Sequence, residues 1–395
     1  MSGEDGQDAN RKFLESLQRL AAMLKDLDEK STKQQKQGVE PRGLPLSHWR
    51  ELTSEVEGAY QMLTGGAALV HSTSTKYTLV GKIDSVEGAK LSGDLLKGCE
   101  LVGTATLVIF DPNVGCGQSM RCFLKRSSRS IVATVINLVT SFVDGSALEE
   151  QVGAQKTGAV WSSCDAVAKV PKGNRNAMRR DLFTWVMECN ETMEEFQEMI
   201  DLGPAPQQTD ASNQDADGES WDDGDEDQYS DTELEVAKAS LALIKCSRGT
   251  MSVVLKACEC AGDEIVTSEG ETLRKKAILQ WMSDLHAMSR IVGEGATDLG
   301  ALLYPPMNFS PTDEGDGEAS DIFQATTLGR QIATQAAAIE AVNAFILDSS
   351  PTTEDGSSLE SLNLSEDVTS MAAKLRTAGE SRKQEAGEAL STTSN

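Results

Sequence analysis

The stretch Ile131-Val-Ala-Thr-Val-Ile-Asn-Leu-Val-Thr-Ser-Phe-Val143 can be read two ways, and the choice sets the fold class. Its β-branched residues suit a strand on propensity alone. Extended backwards, however, Met120, Leu124, Ile131, Val135, Leu138 and Phe142 keep helical spacing, with Val132, Val139 and Val143 adding apolar residues on other faces. A helix apolar on most of its faces is a central, buried one. The spacing therefore predicts a helix. The run Leu107–Phe110 poses the same question. It follows Leu91, Leu95, Cys99 and Val102, so that helix is extended through it, although Gly93, Gly98 and Gly103 each cost about 1 kcal/mol in a helix interior.

Outward from this segment the same period recurs. Phe13, Leu17, Leu20, Leu24 and Leu27 form one stripe, after a cap candidate at Asp8 or Asn10. Trp49, Leu52, Val56, Tyr60 and Leu63 form another, after Ser47. A long stripe runs through Met178, Leu182, Trp185, Cys189, Met193, Phe196 and Ile200. Ile278, Trp281, Leu285, Met288 and Val292 make a further one, as do Ile332, Ala336, Ile339, Val342 and Ile346. Capping boxes, Ser230…Glu233 and Ser268…Glu271, precede two of the helices. The links carry turn residues: Pro41 and Pro45, Asp111-Pro112-Asn113, and Pro171-Lys-Gly-Asn174, where Asn174 is placed to cap the helix that follows. Ten helices result, five before Pro171 and five after, with no fixed-period repeat. The expected fold is all-α: two up-and-down bundles of about five helices each, over 1–170 and 171–389. Residues 203–229 are Pro, Gln, Ser, Gly and acid, and are expected to form a disordered acidic insert, because they offer little apolar surface to bury.

The 395 residues carry 36 Lys and Arg against 62 Asp and Glu, a formal charge of −26. That balance argues against direct nucleic-acid binding, which depends on cationic side chains, and against anionic membrane surfaces. Much of the charge is local: the span 181–237 holds 19 acidic residues and no Lys or Arg. No run approaches the roughly 20 apolar residues of a membrane span. The opening Met-Ser-Gly-Glu-Asp lacks the features of a signal peptide, and the 8 Cys read as reduced thiols, so an intracellular protein is expected.

No catalytic, cofactor or metal constellation emerges. The three histidines, His48, His71 and His286, lie far apart in sequence, and His286 reads as a residue flanking the Trp281 stripe. Cys258 and Cys260 would point about 200° apart on a helix, which leaves Cys258 as a core thiol rather than a ligand. Gly115-Cys-Gly117 lacks the Lys-Ser/Thr of a phosphate loop and reads as a flexible link, with Ser119 capping the next helix. Lys172, Arg175, Arg179 and Arg180 form either a solvated helix start or a weak nuclear-import signal. Met187-Glu-Cys-Asn-Glu191 approximates a Leu-x-Cys-x-Glu docking peptide, but it lies inside a helix stripe. Ser220, Ser230 and Thr232 precede acidic residues in the pattern acidophilic kinases read, and are candidate phosphorylation sites. The absence of a catalytic constellation points to a protein that works by binding.

Two strings narrow the class. Val160-Trp161…Cys164 is followed by Val170-Pro-Lys-Gly-Asn-Arg-Asn-Ala177, and Asp298-Leu299 is followed by Leu302-Leu-Tyr-Pro-Pro-Met307. With the acidic insert and the helix order, they resemble the cyclin-D-binding protein family, the Grap-and-cyclin-D-interacting proteins (GCIP). The resemblance implies two helical bundles of the vinculin and α-catenin kind, no enzyme activity, and no cofactor. It also implies a negative regulator of the cell cycle, in nucleus and cytoplasm, whose partners are D-type cyclins and helix-loop-helix transcription factors. A cytoskeletal or adhesion-type adaptor built on the same bundle is the alternative. Leu303, Tyr304, Pro305, Pro306 and Met307 form the candidate partner surface, because the two prolines end the helix and are expected to leave this string outside a regular core position.

Overall fold

In the computed structural model, which describes residues 3–36, 52–80, 86–111, 114–148, 151–204, 228–267, 272–310, 323, 326–352 and 359–393, the stretch 131–143 is helical. Among the described residues there are ten α-helices and no strand. They are α1 (Gly3–Lys36), α2 (Ser54–Val80), α3 (Val86–Phe110), α4 (Gln118–Val143), α5 (Val152–Asp165), α6 (Gly173–Leu202), α7 (Asp231–Thr267), α8 (Thr272–Ala301), α9 (Thr327–Asp348) and α10 (Glu366–Thr393). The chain divides into two compact units, Met1–Met178 and Arg179–Asn395.

The first unit is organised around α4. Met120, Leu124, Ile131, Val132, Val135, Leu138 and Val139 are all buried, so apolar side chains leave this helix in several directions, as its sequence requires. Around it pack Phe13, Leu17 and Leu24 of α1, Leu63 and Val70 of α2, Leu95, Val102 and Ile109 of α3, and Val160 of α5. The glycines of α3 have a packing reason. A Cβ at Gly98 would lie 2.7 Å from Val70 Cγ2 and 3.0 Å from the Gly66 carbonyl oxygen, and one at Gly103 would lie 2.7 Å from Leu20 Cδ1. Without side chains there, α2 and α3 approach backbone to backbone, and their loss of helix propensity is offset by close contact. Gly93 meets nothing within 4 Å and has no such role.

Two links in this unit differ from expectation. Asn174 does not cap α6: it lies within the helix, and its side-chain amide reaches the α3–α4 link instead. There Asn174 Oδ1 accepts from the Gly117 N–H at 2.7 Å, and Asn174 Nδ2 donates to the Gly115 carbonyl at 3.0 Å. An amide carries one acceptor and two donors, and so pairs with an unpaired N–H and C=O at a helix start. The Gly115-Cys-Gly117 link is therefore held in place, with Cys116 buried and Gly115 at φ +74. Gly117 is the N-cap of α4, which places Ser119 within the first turn rather than at the cap. Tyr60 completes this junction by donating from its hydroxyl to the Pro171 carbonyl.

The second unit alternates direction from helix to helix. Arg179 pairs with Glu259 at 3.1 Å and Lys245 with Gln197 at 3.2 Å, which sets α6 antiparallel to α7. Trp281 stacks on Phe345 at 5.5 Å while Gln331 Nε2 donates to the Gly295 carbonyl, which sets α8 antiparallel to α9. Arg376 pairs with Glu340, and Gly379 faces Ile339, so α10 turns back along α9. The predicted stripes face inward, with one shift on α8. Ser289, not Met288, occupies the fully buried position, and His286 is itself buried against Trp185 at 5.3 Å, with Asp181 3.4 Å away. Polar side chains cross this core too. Gln335 Nε2 donates to Ser247 Oγ and the Val292 carbonyl, and Asn343 Nδ2 to Thr250 Oγ1.

Candidate functional site

At one end of the second unit, two segments meet at a single carboxylate. The sequence Ser230-Asp-Thr-Glu233 forms the expected capping box at the start of α7: Ser230 N–H and Ser230 Oγ both donate to Glu233 Oε2 at 2.8 Å, and Glu233 N–H donates to Ser230 Oγ at 3.3 Å. Glu233 is buried, and its other oxygen is also used. Glu233 Oε1 accepts from the Met307 N–H at 2.6 Å, so one side chain fastens both the helix start and the turn after α8. The other expected capping box, Ser268…Glu271, lies outside the described residues, as do Ser220 and His48.

The turn after α8 is Leu302-Leu-Tyr-Pro-Pro-Met307. Its prolines end the helix as expected, but they do not leave the whole string outside the core. Leu303 and Met307 are buried, Tyr304 is 47% exposed, Pro305 is half-buried and Pro306 exposed. The Leu303 carbonyl accepts from the Tyr229 hydroxyl at 2.8 Å. Tyr229 is fully buried, so the expected insert 203–229 ends on a core residue, and the part of it at 205–227 lies outside the described residues. Composition could not reveal this, because the hydroxyl's partner is 74 positions away in sequence.

Tyr304 lies on α6. Its ring meets Phe196 edge-on at 5.1 Å, and its hydroxyl donates to Glu195 Oε1 at 2.5 Å. That hydrogen bond raises the Tyr304 hydroxyl above its ordinary value. The Tyr229 hydroxyl is raised by burial first, and then by the nearby charges of Glu233 and Glu195. The outward surface thus presents the Tyr304 ring beside the Glu195 carboxylate, with Pro306 exposed two residues on. Ser230 and Thr232 are exposed at its edge.

The remaining sequence candidates are dispersed. His71 stacks on Trp161 at 5.5 Å, with Asp165 3.9 Å away, in the first unit. Cys258 is buried and its thiol is pushed up to about 12, chiefly by burial, while Cys260 is half-exposed. Cys189 is buried in the middle of α6, so the Met187–Glu191 peptide is helical and not extended. In the basic cluster Lys172 is exposed and Arg179 is paired with Glu259. Among the described residues no group of three or more His, Cys, Asp or Glu could hold a metal ion, and no helix is long and apolar enough to cross a membrane.

Comparison with known proteins adds a family. Residues 62–202, from α2 to the end of α6, match the family described as Grap2 and cyclin-D-interacting, N-terminal. The match includes the Val160-Trp161…Cys164 and Val170–Ala177 strings. Over 277 residues, 66% of this chain and 74% of the relative, the chain is 23% identical to the Cyclin-D1-binding protein 1 homolog of Danio rerio. Over 191 residues, 47% of this chain and 54% of the relative, it is 26% identical to the protein of the same name from Xenopus laevis. The chain therefore spans about half of the second relative, and in sequence it resembles the Grap2 and cyclin-D-interacting proteins.

Proposed function

We propose that this protein is a non-enzymatic interaction regulator that binds a D-type cyclin, with a helix-loop-helix protein as a further partner class. The observation that carries the reading is the pair of matched relatives, both named for binding cyclin D1. The geometry supports it in one respect: Tyr304 is half-exposed on a turn whose Leu303 and Met307 are buried, and tyrosine is among the residues from which interfaces draw most of their affinity. Regulation of cell-cycle progression and of transcription, in nucleus and cytoplasm, belongs to the same reading. So does phosphorylation at Ser230 and Thr232, and at Ser220 outside the described residues.

The test is capture of purified D-type cyclin by the full chain, beside Tyr304→Ala and Leu303→Ala. If the exposed ring is the contact, Tyr304→Ala weakens capture by tenfold or more, of the order expected for an interface aromatic, well beyond what the modest fall in melting temperature from its lost Phe196 and Glu195 contacts explains. Leu303→Ala, which removes a buried side chain, lowers the melting temperature instead. Absence of capture by the unaltered protein overturns the cyclin reading.

A further inference from the structure

The carboxylate of Glu233 holds two segments at once, and one of them is held through a serine hydroxyl. Ser230 Oγ lies 2.8 Å from Glu233 Oε2, an approach that is attractive only while the hydroxyl keeps its proton. The opposite oxygen, Glu233 Oε1, is the acceptor for the buried Met307 N–H. We propose that Ser230 is a phosphorylation site, and that its phosphate displaces the Glu233 side chain and releases the Tyr304–Met307 turn. Only the consequence for partner binding rests on the function proposed above; the release is a property of the chain itself.

The modification is transfer from a nucleoside triphosphate by an acidophilic Ser/Thr kinase. Ser230 Oγ bonds to the γ-phosphorus, the bond to the β-phosphate oxygen breaks to give the nucleoside diphosphate, and the hydroxyl proton is released. Asp231 and Glu233 follow Ser230 in the pattern such kinases read, and Ser230 is exposed. The added group carries about −1.5 to −2 charge at neutral pH. At the N-cap of α7 its oxygens can accept the N–H groups that Ser230 now satisfies, where the helix dipole favours an anion. The cap therefore survives the modification.

Glu233 cannot stay where it is. Its carboxylate would face a dianion at the distance now bridged by a hydroxyl proton, and like charges at that distance repel. Once Glu233 turns away, the Met307 N–H loses its acceptor, while the start of the turn keeps the Leu302 and Leu303 backbone bonds and the Tyr229–Leu303 and Tyr304–Glu195 hydrogen bonds. Thr232 is a control within the same helix turn. Its hydroxyl lies 3.3 Å from Ser230 Oγ but makes no hydrogen bond to Glu233, so a phosphate there should disturb the Glu233 bond to Met307 less than one on Ser230 itself.

The experiment uses the full chain with phosphoserine installed at position 230 during translation, read by hydrogen exchange at the Met307 amide. Exchange is expected to rise about tenfold or more, as for loss of a hydrogen bond to a charged acceptor. Phosphate at Thr232 should raise it clearly less. Phosphoserine at 230 combined with Glu233→Gln should leave it unchanged, because the neutral amide keeps an acceptor for Met307 and donates to the phosphate. In a separate arm, an acidophilic kinase with ATP should add a phosphate that peptide mapping places on Ser230. Unaltered Met307 exchange in the phosphoserine protein, equal acceleration from Thr232, or a Ser230 that the kinase leaves unmodified would each overturn the proposal. Cyclin capture by the phosphoserine protein is read separately, so its failure bears on the partner and not on the release.

Discussion

Asn174 shows how a single side chain can serve a distant part of the chain rather than its own helix. Its amide closes the Gly115–Gly117 link through two hydrogen bonds, and the Tyr60 hydroxyl holds the adjacent Pro171 carbonyl. Removing it leaves a donor and an acceptor at the start of α4 without these partners. Asn174→Ala should therefore cost about 1–3 kcal/mol, and Asn174→Asp, which sets a carboxylate oxygen against the Gly115 carbonyl in place of the donor, should destabilise as well; chemical denaturation measures both. The buried thiols predict a pH effect. Burial raises Cys99 and Cys258 above the ordinary 9.0, the latter to about 12, so the folded chain keeps these protons after the unfolded chain has lost them. Their contribution is intact below pH 9 and declines above it, with a slope of about 1.4 kcal/mol per pH unit for each thiol. Melting temperature should fall from pH 9 to 11, and Cys258→Ala should flatten that fall; an unchanged profile would contradict it.

At the scale of elements, glycine decides how closely α2 and α3 approach. Gly98→Ala places a methyl against Val70 and the Gly66 carbonyl and should destabilise, whereas Gly93→Ala meets open space and should stabilise by about 0.5–1 kcal/mol through helix propensity. Equal shifts in melting temperature would mean that the close approach is not structural. The helices could be read from the sequence because burial on a helix leaves a local period, as Leu124, Ile131, Val135 and Leu138 do. The Ser230…Glu233 box was legible for the same reason: its two residues are three apart. The remainder of the site was not. Met307 reaches Glu233, and Tyr229 reaches Leu303, across 74 positions, and nothing local to either end signals the other. Proline chemistry correctly ended α8 but could not show that Leu303 and Met307 turn inward afterwards.

For the whole molecule, the acidic stretch between α6 and α7 needs a boundary drawn by burial rather than by composition. Tyr229 belongs to the core of the second unit. Deleting 205–227 should leave the melting temperature nearly unchanged, since its composition offers little apolar surface. Deleting 203–229 should lower it clearly, because Tyr229 and its bond to Leu303 are lost; equal effects would place structural residues within 205–227. The two units carry separate cores, and the family match and the candidate surface fall in different parts of the chain: residues 62–202 for the match, Tyr304 and Pro306 for the surface. The central claim is that the protein acts by binding a D-type cyclin through that surface. Titration calorimetry of the purified full chain with a purified D-type cyclin tests it most directly. Saturable binding that Tyr304→Ala weakens by tenfold or more, in a protein that stays folded at the temperature of the titration, is the predicted result. No heat of binding from the unaltered chain, or affinity indifferent to Tyr304, would contradict it.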